Sequence, residues 1–151
     1  MRGSMCPGVS PGVRLWTLAM SLAALAGCSE RFSPTIDTVS GPHTATTFTL
    51  TQNSQTQDLL AAGASLTLTL LGQGTTEGRL FVPGGNEDGS DLDLSLVGTW
   101  SLTGNRVTLQ HEADTFLRDL VLTASDSQLD GEFTQDGDVV RVRLEKPRSN
   151  D

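Results

Sequence analysis

Cysteine is almost absent from this chain: Cys6 and Cys28 are the only two in 151 residues. A small scaffold stapled by several disulfides is thereby excluded. Tyrosine is missing altogether and Lys146 is the only lysine, and neither fact carries a functional reading. Ten Lys and Arg stand against 18 Asp and Glu, for a formal net charge of −8. That balance argues against holding nucleic acid or anionic lipid by charge. Histidine is limited to His43 and His111. There is no Ser-His-Asp arrangement, Gly-rich phosphate loop or Cys-x-x-Cys, so no catalytic residue is assigned and no enzyme or cofactor is expected. The one long apolar run, residues 15–26, falls short of the ~20 residues that span a bilayer.

That run carries the most information. Arg2 and Arg14 precede it, and it ends in Leu25-Ala26-Gly27-Cys28. Positive charge, an apolar core and a small-residue end make the three-part secretory leader. An ordinary signal peptide and a membrane anchor are the alternatives, and Met5 is an alternative start to Met1. The small-small-Cys ending resembles the lipobox of bacterial lipoproteins. The resemblance implies cleavage before Cys28 and acylation of the new N-terminal Cys28, which leaves no partner for an internal disulfide. It also implies outer-membrane delivery, facing the periplasm, because Ser29 rather than an aspartate follows the cysteine. Several acyl chains, at ~0.8 kcal/mol per buried methylene, anchor firmly.

The chain then divides into a leader over 1–27, a tether over 28–43, one folded domain over 44–146 and a polar tail over 147–151. The remaining length supports one domain, not two. Ser29, Pro34, Gly41 and Pro42 with no periodicity mark the tether, which places His43 in it.

From Thr44 onward the hydrophobic period is two, the strand signal. Strands are expected over 44–52, 65–71, 76–82, 91–103, 106–112, 116–124, 128–135 and 138–145. A single helical piece is expected over 57–64, ended by Gly63. In 91–103 Gly98 interrupts the row Leu92, Leu94, Leu96, Trp100 and Leu102 and marks a bulge or bend. Gly104-Asn105 and Asp136-Gly137 are hairpin turns. About eight short strands joined by tight turns make an all-β, antiparallel, up-and-down barrel, with an open two-sheet sandwich as the rival.

Gly98-Thr99-Trp100, the Gly104-Asn105 turn and Val107-Thr108-Leu109 resemble the lipocalin-like small barrels of bacteria. That resemblance implies an apolar ligand in the barrel. The residues placed at such a site are Trp100, Phe116, Arg118 and Phe133. Arg118 shares strand parity with Phe116 and Leu120, which turns it inward, where it would pair with a carboxylate or hold a ligand's. Trp100 also reads as plain core.

His111 with Glu112 and Asp114 has metal-ligand chemistry, but neighbours on a strand face opposite ways, and no metal is assigned. The acidic stretch 86–93 is oxygen-rich, as calcium prefers, yet lacks the EF-hand order and reads as a solvated loop. The expected function is a lipid-anchored, monomeric, non-catalytic envelope module that binds a small apolar ligand in its barrel. The second reading is a protein-interaction module, an envelope inhibitor or assembly factor acting through exterior loops. A pocket lined by Leu and Phe would favour the first, and a barrel packed solid the second.

Overall fold

The computed structural model describes residues 33–111 and 115–147. The leader, Cys28 and the first part of the tether lie outside the described residues, as do Glu112, Ala113, Asp114 and the tail beyond Pro147. The described elements, in order, are α1 (Ile36–Val39), β1 (Gly41–Gln52), β2 (Gln55–Asp58), β3 (Ser65–Leu70), β4 (Thr75–Val82), β5 (Leu92–Ser95) and β6 (Gly98–Thr103). They continue with β7 (Arg106–His111), α2 (Phe116–Asp119), β8 (Val121–Ser125), β9 (Gln128–Gln135) and β10 (Asp138–Glu145).

The strands form a closed antiparallel barrel of eight, as the period-two pattern implies. Around it the order is β1, β3, β4, β6, β7, β8, β9, β10 and back to β1. The closing ladder pairs Thr44 with Glu145 and Thr51 with Val139, which removes the open edges of a sandwich. β2 and β5 are side branches. β1 gives the first part of one edge to β3 and the last part to β2. β4 divides its edge in the same way between β6 and β5.

Four local expectations are corrected. First, the fold begins before Thr44. Thr35 and Thr38 cap α1 reciprocally, Val39 is buried, and β1 starts at Gly41, so His43 is a strand residue rather than part of a tether. A bulge between Ala45 and Thr47 then switches the inward parity from His43 to Phe48, which is why alternation alone misplaced the start of the strand.

Second, 57–64 is not helical. Asn53 and Ser54 both take positive φ, 49° and 65°, and turn β1 directly into β2, after which the chain turns down to Gly63. Third, 91–103 is two strands. Leu96 and Val97 separate β5 from β6, with Leu96 N–H donating to the Gly78 carbonyl and the Thr76 hydroxyl donating to the Leu96 carbonyl at 2.7 Å. The break thus falls just before Gly98, the first residue of β6, where a Cβ would stand 2.2 Å from the Gln110 carbonyl oxygen.

Fourth, 116–124 is not one strand. Thr115 caps a helical turn over Phe116–Asp119, and only β8 is extended. Leu117 and Leu120 are buried on its three-residue spacing, while Arg118 points out between them.

The core is one cluster, chiefly leucine, built mostly of strand residues facing the barrel axis and joined by Val39 of α1, Leu117 of α2 and loop residues such as Leu96 and Leu120. Leu66, Leu68 and Leu70 line it from β3, Val107 and Leu109 from β7, and Val142 and Leu144 from β10. Each end carries a short helix. α1 sits where β1 starts, tied by Lys146 Nζ donating to the Thr38 carbonyl at 2.6 Å. α2 sits at the opposite end, beside β7 and close to the β9–β10 turn.

Candidate functional site

The barrel axis is filled. Leu70, Leu80, Val107 and Leu122 are 0% exposed and Leu66, Leu129 and Leu144 are 1% exposed. Walls this free of exposure border no void that could hold a water, so the interior beside them is packed side chain against side chain. Gly131 contributes to this: a Cβ there would meet Leu120 Cδ1 and Leu122 Cδ2 at 2.8 Å, the space those leucines occupy.

The four residues assigned to a ligand site are not brought together. Trp100 lies inside β6, 7% exposed, with its indole N–H donating to the Leu71 carbonyl at 2.8 Å near the α1 end of the barrel. This is a packed core position whose one polar atom is satisfied. Arg118 is exposed on α2, with Nη2 3.8 Å from Asp119, not turned inward. The strand parity that turned it inward does not apply to a helical turn.

Phe116 and Phe133 do meet. Phe116 lies between Phe48 and Phe133, ring centroids 5.9 Å and 6.3 Å away, in tilted packing. Phe48 is buried, whereas Phe116 and Phe133 are half-buried. With Leu50 and Val140 they floor a notch of about 230 Å³ at the barrel mouth. Its rim is Gln135, Asp136 and Asp138 from the β9–β10 hairpin. Asp138 accepts from Gln52 Nε2 at 2.6 Å, which fixes the carboxylate against β1. Asp136 holds a positive φ of 54° in the turn itself.

A larger depression of about 450 Å³ lies on the outer face of the barrel, across β8, β9, β10 and β1. Thr47, Thr123, Asp130, Glu132, Arg141 and Arg143 line it. Its charges are matched across the strands: Arg141 Nε donates to Glu132 at 2.6 Å and Arg143 Nε to Asp130 at 2.7 Å. These exposed pairs add little stability but give the face a fixed alternation of charge. The Asp130 carboxylate beside Arg143 holds that guanidinium still more firmly protonated.

Elsewhere several ionisable groups are engaged locally. In the acidic loop Asp88 accepts from the Ser90 hydroxyl and backbone N–H, which lower its pKa, and Asp91 accepts from Gly84 N–H. Asp93 forms a two-point pair with Arg79 at 2.5 and 2.7 Å, and that pairing lowers its pKa. His43 is buried with Nδ1 3.0 Å from the Gly41 carbonyl, so Nδ1 carries the proton of the neutral ring. Burial pulls its pKa down to about 4, and Lys146 adds to the fall. His111 ends β7, opposite Gly98.

Sequence reasoning missed Asp136 and Asp138 as rim residues, having assigned the first to a hairpin turn and the second to the start of the last strand. The signal was present: the strand that carries Phe133 leads into a hairpin with Asp136 in its turn and Asp138 just past it. No family model, curated protein or solved structure matches this chain.

Proposed function

We propose that this protein is a lipid-anchored, non-catalytic envelope module that binds other proteins with the exterior of its barrel. The anchoring part rests on the lipobox ending at Cys28, with Ser29 directing the protein to the outer membrane. The filled barrel axis carries the choice between the two binding readings. A carrier of small apolar molecules needs an enclosed space, typically ~300–1,000 Å³. Here that volume is occupied by Leu66, Leu80, Leu122 and Leu144. Concave features on the outside include the charge-matched depression over β9 and β10 and the shallow aromatic mouth.

The test is a paired measurement. Titration with the apolar fluorophore N-phenyl-1-naphthylamine is expected to give no saturable enhancement. Carbodiimide treatment of intact envelopes, which links this acid-rich chain to amines of whatever touches it, is expected to trap the chain with another protein. Saturable uptake of the fluorophore with no cross-linked product would overturn the proposal in favour of a ligand carrier.

A further inference from the structure

We infer that the barrel mouth beside the β9–β10 turn is a docking notch for a basic partner protein, which inserts a lysine or arginine side chain. This rests on the exterior-binding reading above and names the partner's chemistry. The floor is apolar and aromatic: Phe116, Phe133, Leu50 and Val140. The rim is acidic: Asp136 and Asp138 stand over that floor, and none of the residues lining the notch is cationic. Arg141, the nearest arginine along β10, is held on the outer face by Glu132.

A long basic side chain matches both surfaces at once. Its methylene stem lies on the rings while its charged head reaches the carboxylates, the arrangement in which such side chains bury apolar length and keep charge at the rim. A purely apolar group would cover the floor and strip water from the two carboxylates, leaving Asp138 only its bond from Gln52 in exchange. An acidic group would be repelled. The formal net charge of −8 favours approach of a basic surface over any other.

The surroundings favour a polypeptide over a free amine. The notch is about 230 Å³, room for a side chain rather than a whole small-molecule ligand. Leu50 is shared with a second shallow cleft, about 250 Å³, lined by Gln52, Asn53, Gln55, Thr56 and Gln57. That cleft runs onto β2, whose residues are all exposed and whose described strand pairing is with β1 alone. Side-chain amides there suit the N–H and C=O groups of a chain leaving the notch.

The test uses the intact chain in detergent, with ring-labelled phenylalanine followed by NMR. The probes are Nα-acetyl-lysine methylamide, its norleucine and glutamate counterparts, spermidine, and a peptide alternating lysine and leucine. The lysine probe should shift the Phe116 and Phe133 rings saturably, with the norleucine probe ~10-fold weaker and the glutamate probe inactive. Asp136→Asn together with Asp138→Asn should weaken the lysine probe by a similar factor. Asparagine tolerates the positive φ at position 136, and unchanged Trp100 emission verifies the fold.

Equal response to the norleucine probe, a double variant that binds as well as wild type, or unmoved Phe116 and Phe133 rings would each overturn the notch. The exterior-binding reading would survive such a failure, since it stands on the filled axis and is overturned by the fluorophore instead. The alternating peptide should bind tighter than spermidine. The reverse order would make the occupant a free polyamine and overturn the protein-docking assignment.

Discussion

His43 is a buried histidine on the inner face of β1, and its titration makes stability depend on pH in one direction. Its pKa in the fold is about 4 against an ordinary 6.5, because burial disfavours the charged ring. Between those values the unfolded chain binds a proton that the folded chain refuses, so stability is full above pH 6.5 and falls as the pH drops through about 4. The loss is at most about 3 kcal/mol from this residue. Urea midpoints of wild type and His43→Gln across that interval are expected to converge as the pH falls. A constant gap would show that the ring is not held neutral. Trp100 is the second residue with a sharp expectation. Trp100→Phe keeps the apolar ring but removes one of the two donors to the Leu71 carbonyl, which keeps the Gly74 N–H, costing ~0.5–1.5 kcal/mol. In a chain beginning at Cys28, where Trp100 is the one tryptophan, the emission should be blue-shifted, and a maximum like that of indole in water would place this side chain outside.

Elements were legible wherever a strand runs straight and one face meets the core. β3, β9 and β10 follow the alternation of Leu66 to Leu70, Leu129 to Phe133 and Val140 to Leu144. Legibility failed where the backbone leaves that regime. The β1 bulge changes parity inside the strand, β2 is wholly exposed and has no hydrophobic signal, and α2 buries Leu117 and Leu120 on a spacing too short to reveal a helix. Two glycines separate the causes of local constraint. Gly98 lies against the β7 backbone, where a Cβ would be 2.2 Å from Gln110 O, whereas Gly137 has φ 92° and open space around it. Gly137→Ala should therefore cost only the conformational strain, ~1–2 kcal/mol. Gly98→Ala must push β6 from β7 and should cost more. Equal urea midpoints for the two variants would mean that the β6–β7 approach is looser than described.

At the scale of the whole molecule, the described residues form a closed sheet around a leucine-rich axis. On the proposed reading, recognition falls to the outer face and the mouth, and position in the cell to the N-terminal segment. Cys28 is the residue that should carry the anchor. Metabolic labelling with a clickable palmitate is expected to mark the wild-type protein and to leave Cys28→Ser unlabelled. Equal labelling of the two would remove the lipobox from the account.

The sequence by itself determined the all-β class, most of the strands and the inward identity of Trp100, Val107, Leu129 and Val142. A period of two sends alternate side chains to opposite faces regardless of which strand lies beside which. Only the tertiary structure decided that β10 returns to pair with β1, that the axis is solid, and that Phe116 and Phe133 meet under Asp136 and Asp138. Those outcomes depend on the volume summed over eight strands and on contacts between residues far apart in the chain. Volume and contact are properties of the packed assembly, and no local pattern encodes them.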